Sequence, residues 1–347
     1  MNNLSKVALI ALTLTAPIFA QESGVTFYHK DWAVACDNTL TCRIGGHARQ
    51  AEAGGLLLTR QAGENTTTLA EVILAERMDN EAPVKKLTLW LDGKPTGELT
   101  AAAGWALTET QTRAVIDAIK GSGKVELRGG HEPFVLSGEG AYAALLKVDD
   151  VQGRIGTPGA WVKQGDKPES SVAQAIPMPV ILKVKTSDAQ PHILTKAEAK
   201  TLTPQLLTAL NSEQGCPYLS EVGEEDINGN IIRGDIIATP LDETHTLLST
   251  FCSSGAYNQS YGYWVTDKTL KARPVAVTDG AQNYRHGVIT NVFLGSSAGS
   301  CASKEEWIWD GEAFRQSQST INDGCWFSRS AGDRVIPTLV TEVKHED

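Results

Sequence analysis

The first candidate for chemistry is a short Gly/Ser-rich stretch near the C-terminus. GSSAG (295–299) matches the G-x-S-x-G nucleophile elbow, with Ser297 in the position of the nucleophile. That elbow requires a strand before it and a helix after it, so that the hydroxyl is presented on a tight turn. Here Cys301 and the strand-like EEWIWD (305–310) follow. We therefore favour a Ser/Gly-rich loop over a catalytic serine.

A second polar group imitates the start of a calcium-binding loop. Asp226, Asn228 and Asn230 have the spacing of the first EF-hand ligands. The sixth and twelfth positions hold Ile231 and Ile237, where that loop needs a glycine and a bidentate glutamate. We favour an Asn-Gly hairpin turn, and calcium held in another geometry is the alternative, with ligands from Glu224, Glu225, Asp226 and Asp235. No two histidines have metal-ligand spacing, so we predict no metal site and no cofactor.

A dense polar group follows an apolar stretch near the middle of the chain. It consists of Asp149, Asp150, Gln152 and Arg154. Two carboxylates beside an arginine could bind a ligand or transfer protons. Successive residues of an extended chain point to opposite faces, however, so the two carboxylates need not share a site. We favour a buried or interdomain ion pair between one aspartate and Arg154 that fixes the turn through Gly153.

An aromatic group supplies the second set of candidate binding residues, which are Tyr257, Asn258, Tyr261 and Tyr263. Tyr261 and Tyr263 fall on one face of a predicted strand, and with Asn258 and Gln259 nearby they could line a groove for a glycan or a peptide. Packing of the same rings in the core is the alternative, and we favour it.

The six cysteines divide unequally along the chain. Cys36 and Cys42 are alone in the first half, and DWAVACDNTLTCR (31–43) reads as two strands and a tight turn closed by their disulfide. Four cysteines in the second half allow three pairings. We favour the two pairings that close the shortest loops, Cys216 with Cys252 and Cys301 with Cys325. No CxxC pair is present, which disfavours a redox or zinc role.

The N-terminus and the charge balance indicate the compartment. Residues 1–20 contain one basic residue and an apolar run that ends at Ala20, as in a cleavable secretory signal peptide. No later apolar run is long enough to cross a membrane, so we expect a soluble periplasmic protein in an oxidising compartment. The net charge of −10, without a basic cluster, disfavours nucleic acid as a partner.

Hydrophobic patterning predicts a mainly β protein with minor α-helical content. Strands are expected at 56–60, 67–74, 86–91 and 124–130, with a hairpin turn at Asp92-Gly93. Capping boxes begin helices at Thr108 and Thr195. A further helix is expected over 137–146, a helix restart is expected at Pro204, and the helical segment is expected to end at Cys216-Pro217.

Prolines and polar residues between 165 and 191 predict a domain boundary near residue 175. The expected organisation is a signal peptide (1–20), an N-terminal β domain (21–175) and a C-terminal β-rich domain with four cysteines (176–347). Short alternating segments after residue 217 favour an antiparallel sandwich or meander. We thus expect two disulfide-stapled antiparallel β domains, each with one or two short helices.

Four stretches together resemble a known family. They are DWAVACDNTLTCR (31–43), ALLKVDDVQGRIGTPGAWVKQGDKP (144–168), FCSSGAYN (251–258) and WIWDGEAF (307–314). They resemble a proteobacterial secreted family known as a domain of unknown function (DUF1176), whose first half is similar to invasion-associated locus B proteins. The resemblance implies a periplasmic protein of two mostly β domains, and it supplies no catalytic residues.

These observations favour a periplasmic binding or accessory protein of the cell envelope that is not an enzyme. An envelope protein or a glycan is the class of partner that we consider. The alternative is an envelope hydrolase acting on peptidoglycan, a glycan or an ester. A cleft with a carboxylate or Ser297 beside a histidine would favour the hydrolase, and an open aromatic face around Tyr261 and Tyr263 would favour binding.

Overall fold

The computed structural model describes residues 24–48, 54–74, 82–210, 215–221, 234–295, 302–321 and 336–346. The predicted signal peptide, Ser297, Cys301, Cys325 and most of the calcium-like loop lie outside these ranges. Within them the protein is mainly β, as predicted, with several antiparallel sheets and three α-helices. No helix in the described ranges is long and apolar enough to cross a bilayer.

The first half of the chain forms two antiparallel sheets. The first sheet, in the order β1-β2-β3-β4-β5, contains β1 (Val25–His29), β2 (Trp32–Cys36), β3 (Cys42–His47), β4 (Gly54–Arg60) and β5 (Thr68–Leu74). The second sheet, in the order β7-β6-β8-β9, contains β6 (Lys86–Leu91), β7 (Lys94–Thr100), β8 (Val125–Arg128) and β9 (Phe134–Val135). Helices α1 (Glu109–Ile119) and α2 (Ala141–Val151) complete one shared core. Alternating apolar residues of both sheets supply that core, as a half-buried antiparallel sheet requires.

The second half contains two five-stranded antiparallel sheets and a two-stranded parallel pair. The elements are β10 (Val180–Lys183), β11 (His192–Ile193), α3 (Lys196–Ala209), β12 (Ile237–Pro240), β13 (His245–Ser254), β14 (Gln259–Asp267), β15 (Val275–Ala281), β16 (Asn283–Arg285), β17 (Val288–Leu294), β18 (Ala302–Trp309), β19 (Phe314–Ile321), β20 (Ile336–Val340) and β21 (Glu342–His345). Strands β11 to β15 form one meander and β16 to β20 the other, while β10 pairs with β21. An antiparallel meander was one of the two predicted architectures.

Strands β13 and β14 form the central layer of this half because both of their faces are buried. On one face, Leu248 and Trp264 pack with Leu206 of α3. The Trp264 indole donates a hydrogen bond of 3.1 Å to the carbonyl oxygen of Leu206. On the other face, Leu247 and Tyr263 pack with residues of the β16–β20 sheet, among them Ile289, Trp307 and Trp309. The order of layers is therefore helix, sheet, sheet.

The disulfide-closed hairpin near the N-terminus connects the two halves. Cys36 and Cys42 are bonded, as predicted, and Asp37 accepts hydrogen bonds from the backbone of Thr39 and Thr41 in the turn between them. At the tip of that turn, the Asn38 amide donates to the Val340 carbonyl at 3.0 Å and accepts from its N–H at 2.7 Å. Strand β20 is thereby held against the first half.

Several local predictions are confirmed. Both capping boxes are present, Thr108 with Gln111 and Thr195 with Glu198. Asp92 and Gly93 both have positive φ angles, 48° and 78°, as a two-residue hairpin turn of this kind requires. The predicted disulfide between Cys216 and Cys252 is also present.

The helix limits were predicted less well. The helix expected over 137–146 spans Ala141–Val151. Gly140 at its N-cap has a φ of 99°, which lies outside the helical region, so the helix cannot begin before it. Helix α3 continues through Pro204 without a restart, and it ends at Ala209 instead of at Cys216. The proline leaves the carbonyl of Lys200 without its helical donor. Lys200 is exposed, so water can hydrogen-bond to that carbonyl at low cost.

A buried histidine makes the stability of the fold depend on pH. His47 in β3 is 2% exposed, and burial lowers its pKa to about 4, although the charge of Asp31 opposes the shift. The unfolded chain takes up this proton near its ordinary pKa of 6.5. The unfolded state therefore binds more protons between these two values, and the free energy of unfolding falls as the pH is lowered through that window.

We expect the substitution His47→Gln to remove this pH dependence. Between about pH 7 and pH 4, the free energy of unfolding of the wild-type protein should fall by about 3 kcal/mol more than that of the variant. Urea unfolding across that range measures the difference. His192→Gln, at an exposed position, is the control and should keep the wild-type slope. An unchanged slope in His47→Gln would contradict the assignment.

Candidate functional site

The polar group predicted around residue 150 lies on the last turn of α2 and the loop after it, not on an extended chain. Asp149 is fully buried, and its neighbour Asp150 is exposed, with an ion pair of 3.5 Å to Lys147. Helical geometry turns successive residues by about 100°. The two carboxylates therefore face different environments, and they do not form one site.

The ion pair of Asp149 is made with Arg60 of β4, which corrects the predicted pairing with Arg154. The Arg60 and Asp149 side chains are 2% and 0% exposed, and their Nη2 and Oδ1 atoms are 2.7 Å apart. The Arg60 guanidinium also donates to Gln152 at 2.8 Å and lies 3.5 Å from the ring centroid of Trp161. Burial lowers the pKa of Arg60 to about 10, and Asp149 opposes the shift, so the guanidinium stays charged at neutral pH.

Arg154 is buried as well, and it holds the loop between β4 and β5. It donates hydrogen bonds to the Gly63 carbonyl at 2.6 Å, to the Thr66 hydroxyl at 2.7 Å and to Gln152 at 3.1 Å. A weaker ion pair of 3.7 Å reaches Glu169. Protein atoms thus surround both guanidinium groups. The geometry supports a structural role for Asp149, Gln152 and Arg154, in line with the favoured interpretation of this stretch as an ion-pair network.

The predicted aromatic group is divided by the fold. Tyr263 is 4% exposed and packs between the two sheets, where burial raises its pKa. Tyr261 is half-buried, with its ring edge-to-face on Phe251 at 5.5 Å. Tyr257 is exposed in the turn between β13 and β14. Tyr261 and Tyr263 therefore pack against the core, in line with the interpretation favoured from the sequence, because the second sheet covers that face.

Asn258 lies at the edge of a cleft in the second half. Its amide donates to the Leu294 carbonyl at 2.8 Å and accepts from the Leu294 N–H at 2.7 Å. These two bonds join the β13–β14 turn to the end of β17. The cleft between the two sheets at this end has a volume of about 810 Å³. Its described lining consists of Gly215, Ser253, Ser254, Gly255, Asn258, Gln259, Ser260, Asp279, Gly280, Gln282, Asn291, Phe293, Ser303 and Glu305.

Asn291 and Glu305 form one wall of the cleft, and Gln316 beside them completes a hydrogen-bonded unit of three side chains. Asn291 of β17 and Glu305 of β18 are directly opposite in the antiparallel register. The Asn291 amide donates to one Glu305 oxygen at 3.0 Å, and the Gln316 amide donates to the other at 3.1 Å. Asn291 is 8% exposed, and its Oδ1 has no hydrogen-bond partner among the described residues. This wall therefore presents a fixed carboxylate and an unused buried acceptor.

The chemistry of the cleft is that of a site for a polar ligand without negative charge. Hydroxyl, amide and carboxylate groups line it, and the exposed ring of Phe293 adds an apolar face. The described lining contains two carboxylates and no lysine, arginine or histidine. An anion would meet like charge there, whereas a neutral or cationic ligand would not.

The histidine and carboxylate arrangement expected of a hydrolase does not occur in the described part of this cleft. His245 and Asp242 do approach to 2.9 Å, in the turn before β13 at the opposite end of that strand. Asp242 also accepts hydrogen bonds from the backbone N–H groups of Thr244 and His245. These contacts identify the pair as part of a tight turn. Among the described residues, no group of three or more metal-ligating side chains is present.

Sequence reasoning named Asn258 and Gln259, which both line the cleft, and missed the wall formed by Asn291 and Glu305. The sequence does contain a signal for this wall. Asn291 and Glu305 are polar residues in strands that otherwise carry alternating apolar residues, VITNVFL (288–294) and EEWIW (305–309). The pairing of these strands, which a single sequence does not reveal, places the two side chains together.

Adjacent aspartates give a matched test of the structural role. Asp149→Asn would leave the buried Arg60 charge without its counterion, so we expect a loss of about 3 to 5 kcal/mol in the free energy of unfolding. Asp150→Asn removes the same charge from an exposed position and should change stability by less than about 0.5 kcal/mol. Urea unfolding followed by circular dichroism measures both. Equal effects in the two variants would refute the buried ion pair.

Comparison with known proteins covers both halves of the chain. A family described as "Protein of unknown function (DUF1176)" matches residues 26–340. The chain is 26% identical over 340 residues to the uncharacterized protein YpfG of Escherichia coli (strain K12), with 88% of this chain and 89% of that protein covered. No solved structure matches. The family match extends from β1 to the end of β20, and the chain therefore belongs to the DUF1176 family.

Proposed function

We propose that this protein is a non-catalytic binding or accessory protein of the periplasm, and that it binds a glycan in the cleft between the sheets of its second half. The observation that carries the proposal is the lining of the cleft. It combines hydroxyl and amide groups with an exposed aromatic ring and lacks basic side chains in its described part.

A glycan fits this lining for two physical reasons. Its hydroxyl groups are both donors and acceptors, and so are the amides and hydroxyls of Asn258, Gln259 and Ser260. Its ring faces carry C–H groups that pack on aromatic side chains, and Phe293 is 52% exposed at the cleft. The volume of about 810 Å³ lies within the range of small-molecule sites.

Disulfide chemistry supports a location outside the cytoplasm. Two disulfides, Cys36–Cys42 and Cys216–Cys252, occur within the described residues. Disulfides of this structural type persist in oxidising compartments such as the periplasm. The predicted signal peptide at residues 1–20 agrees with export.

The domain organisation that we propose has its boundary near residue 175. Support comes from the hydrophobic clusters, since one cluster draws its members from residues 27–162 and the other two draw theirs from residues 184–314. We propose that the N-terminal domain, which resembles invasion-associated locus B proteins, is the scaffold against which the ligand-binding domain is held. The bonds between Asn38 and Val340 support this arrangement.

An envelope hydrolase is the second candidate, and one observation favours it. Asp279 and Glu305 line the same cleft, and glycosidases use two carboxylates on either side of the bond that they break. Release of new reducing ends from a bound oligosaccharide would support hydrolysis. A glycan that binds and is recovered intact after prolonged incubation supports the non-catalytic function.

Phe293 gives the direct test of the glycan proposal. A thermal-shift screen with soluble peptidoglycan fragments and neutral oligosaccharides should identify a ligand that raises the melting temperature, because binding to the folded state stabilises it. Phe293→Ala should then weaken the binding of that ligand about tenfold, as measured by calorimetry, since the aromatic contact contributes about 1 kcal/mol or more.

The control for Phe293→Ala is Tyr28→Ala, which removes a ring of similar exposure, 53% against 52%, from the other half of the chain. It should leave the dissociation constant unchanged. The proposal fails if no glycan shifts the melting temperature, or if both variants weaken binding equally.

A further inference from the structure

We propose that the cleft selects a ligand with a protonated amine, which Asn291 and Glu305 hold, so that its glycan is one with free amino groups. This inference rests on the proposed function and specifies the class of ligand. Its evidence is the orientation of the Asn291 amide, the burial of its unused oxygen and the sign of the surrounding charge.

The orientation of the Asn291 amide is fixed by its neighbour. A carboxylate accepts hydrogen bonds, so the group facing Glu305 at 3.0 Å must be the Asn291 NH₂ and not its oxygen. The opposite assignment would place two acceptors against each other. Oδ1 therefore points away from Glu305 and has no donor among the described residues.

An acceptor in this position is open to a donor of a ligand bound in the cleft. Asn291 is 8% exposed. Buried side-chain acceptors in folded proteins almost always have a partner, and leaving one unpaired is unfavourable. Because Asn291 lines the cleft, a donor of the bound ligand can satisfy it there.

The charge of the cleft selects a cationic donor over a neutral one. Each Glu305 oxygen accepts one amide hydrogen bond, which leaves acceptor capacity on both oxygens. Lys304 and Glu306 precede and follow Glu305, and alternation along a strand directs their side chains to the opposite face. Glu305 thus faces the cleft without a cation from its own strand.

An organic ammonium fits this wall better than a metal ion. A primary ammonium has three donors and no acceptor, so it can bond to the Asn291 oxygen and to the Glu305 carboxylate together. A calcium ion needs six or more oxygen ligands. The described residues contain no group of three metal-ligating side chains, which favours the ammonium as the cation.

Matched oligosaccharides test the inference. Calorimetry on the full-length mature protein would compare a β-1,4-linked glucosamine tetrasaccharide with its fully N-acetylated counterpart, at one ionic strength and at a pH where the amines are protonated. The two share one sugar backbone and differ in whether each nitrogen is a free amine or an acetamide. We expect the glucosamine form to bind at least about tenfold more tightly, because charge-assisted hydrogen bonds are stronger than neutral ones.

Variants of the wall must remove this preference. Glu305→Gln removes the charge with little change of shape, and Asn291→Leu removes the acceptor, so each should bring the two affinities together. Glu243→Gln is the control, because it removes the same charge from an exposed position at the opposite end of β13. Melting curves without ligand confirm that each variant is folded before its affinities are compared.

The outcomes separate this inference from the proposed function. Equal affinity for both tetrasaccharides would overturn the amine preference and leave the glycan site standing. Binding of cadaverine, a simple diamine, without binding of either sugar would support the amine site and overturn the glycan function. No binding of any of the three would overturn both. A rise in melting temperature with calcium that Glu305→Gln abolishes would overturn the ammonium assignment.

Discussion

The buried guanidinium of Arg60 imposes the strongest constraint on the first half of the chain. Removing a charged group from water costs several kcal/mol, and a counterion with good geometry must offset that cost. Asp149 lies 2.7 Å away and supplies the charge, while Gln152 and the ring of Trp161 occupy other sides of the group. Strand β4, the end of α2 and the loop after it must therefore all be in place at the same time.

Gln152 transmits this constraint to the rest of the molecule. Its Oε1 accepts hydrogen bonds from Arg60 and Arg154, and its Nε2 donates to the Leu40 carbonyl at 2.9 Å. Leu40 belongs to the turn that the Cys36–Cys42 disulfide closes and in which Asn38 contacts Val340. A continuous set of hydrogen bonds thus runs from the buried arginines to strand β20 of the second half. Asp149, Gln152 and Arg154, in the polar stretch from 144 to 168, all belong to this set of hydrogen bonds.

Features encoded by neighbouring residues were predictable from the sequence. Each capping box, at Thr108 and at Thr195, and the hairpin between Cys36 and Cys42 are formed by residues close together in the sequence. The local sequence pattern was therefore enough to predict them. The β-rich class follows from alternation in the same way. Helix α2 was shifted in the prediction because its start depends on the unusual backbone of Gly140.

Features formed by distant residues were not predictable from one sequence. Arg60 and Asp149 are 89 positions apart, and nothing in the spacing indicates which of several arginines accompanies that aspartate. The cleft is even harder to predict from the sequence, because its lining comes from β13, β14, β15, β17 and β18 and depends on how the two sheets pack together. Asn258 was identified for its proximity to tyrosines, yet its position at the cleft results from its bonds to Leu294.

The position of the cleft follows from how the second half is stabilised. Between the sheets, the apolar cluster with Tyr263 and Trp309 occupies the middle, and polar side chains replace it at the end near Asn291. The Cys216–Cys252 disulfide lies at this end of β13. It closes a separation of 36 residues, and in the chain-entropy model it contributes about 4 kcal/mol to the stability of the fold by restricting the unfolded chain.

Alternation along β13 then explains how one strand serves both purposes. Cys252 points to the helical layer and packs with Trp264, and the next residue, Ser253, lines the cleft on the other side. Gly215, adjacent to the partner cysteine, is also part of the lining. The covalent bond therefore lies behind the β13 side of the cleft. One strand thus carries the disulfide on the face that packs on the helix and part of the polar lining on the face that meets the second sheet.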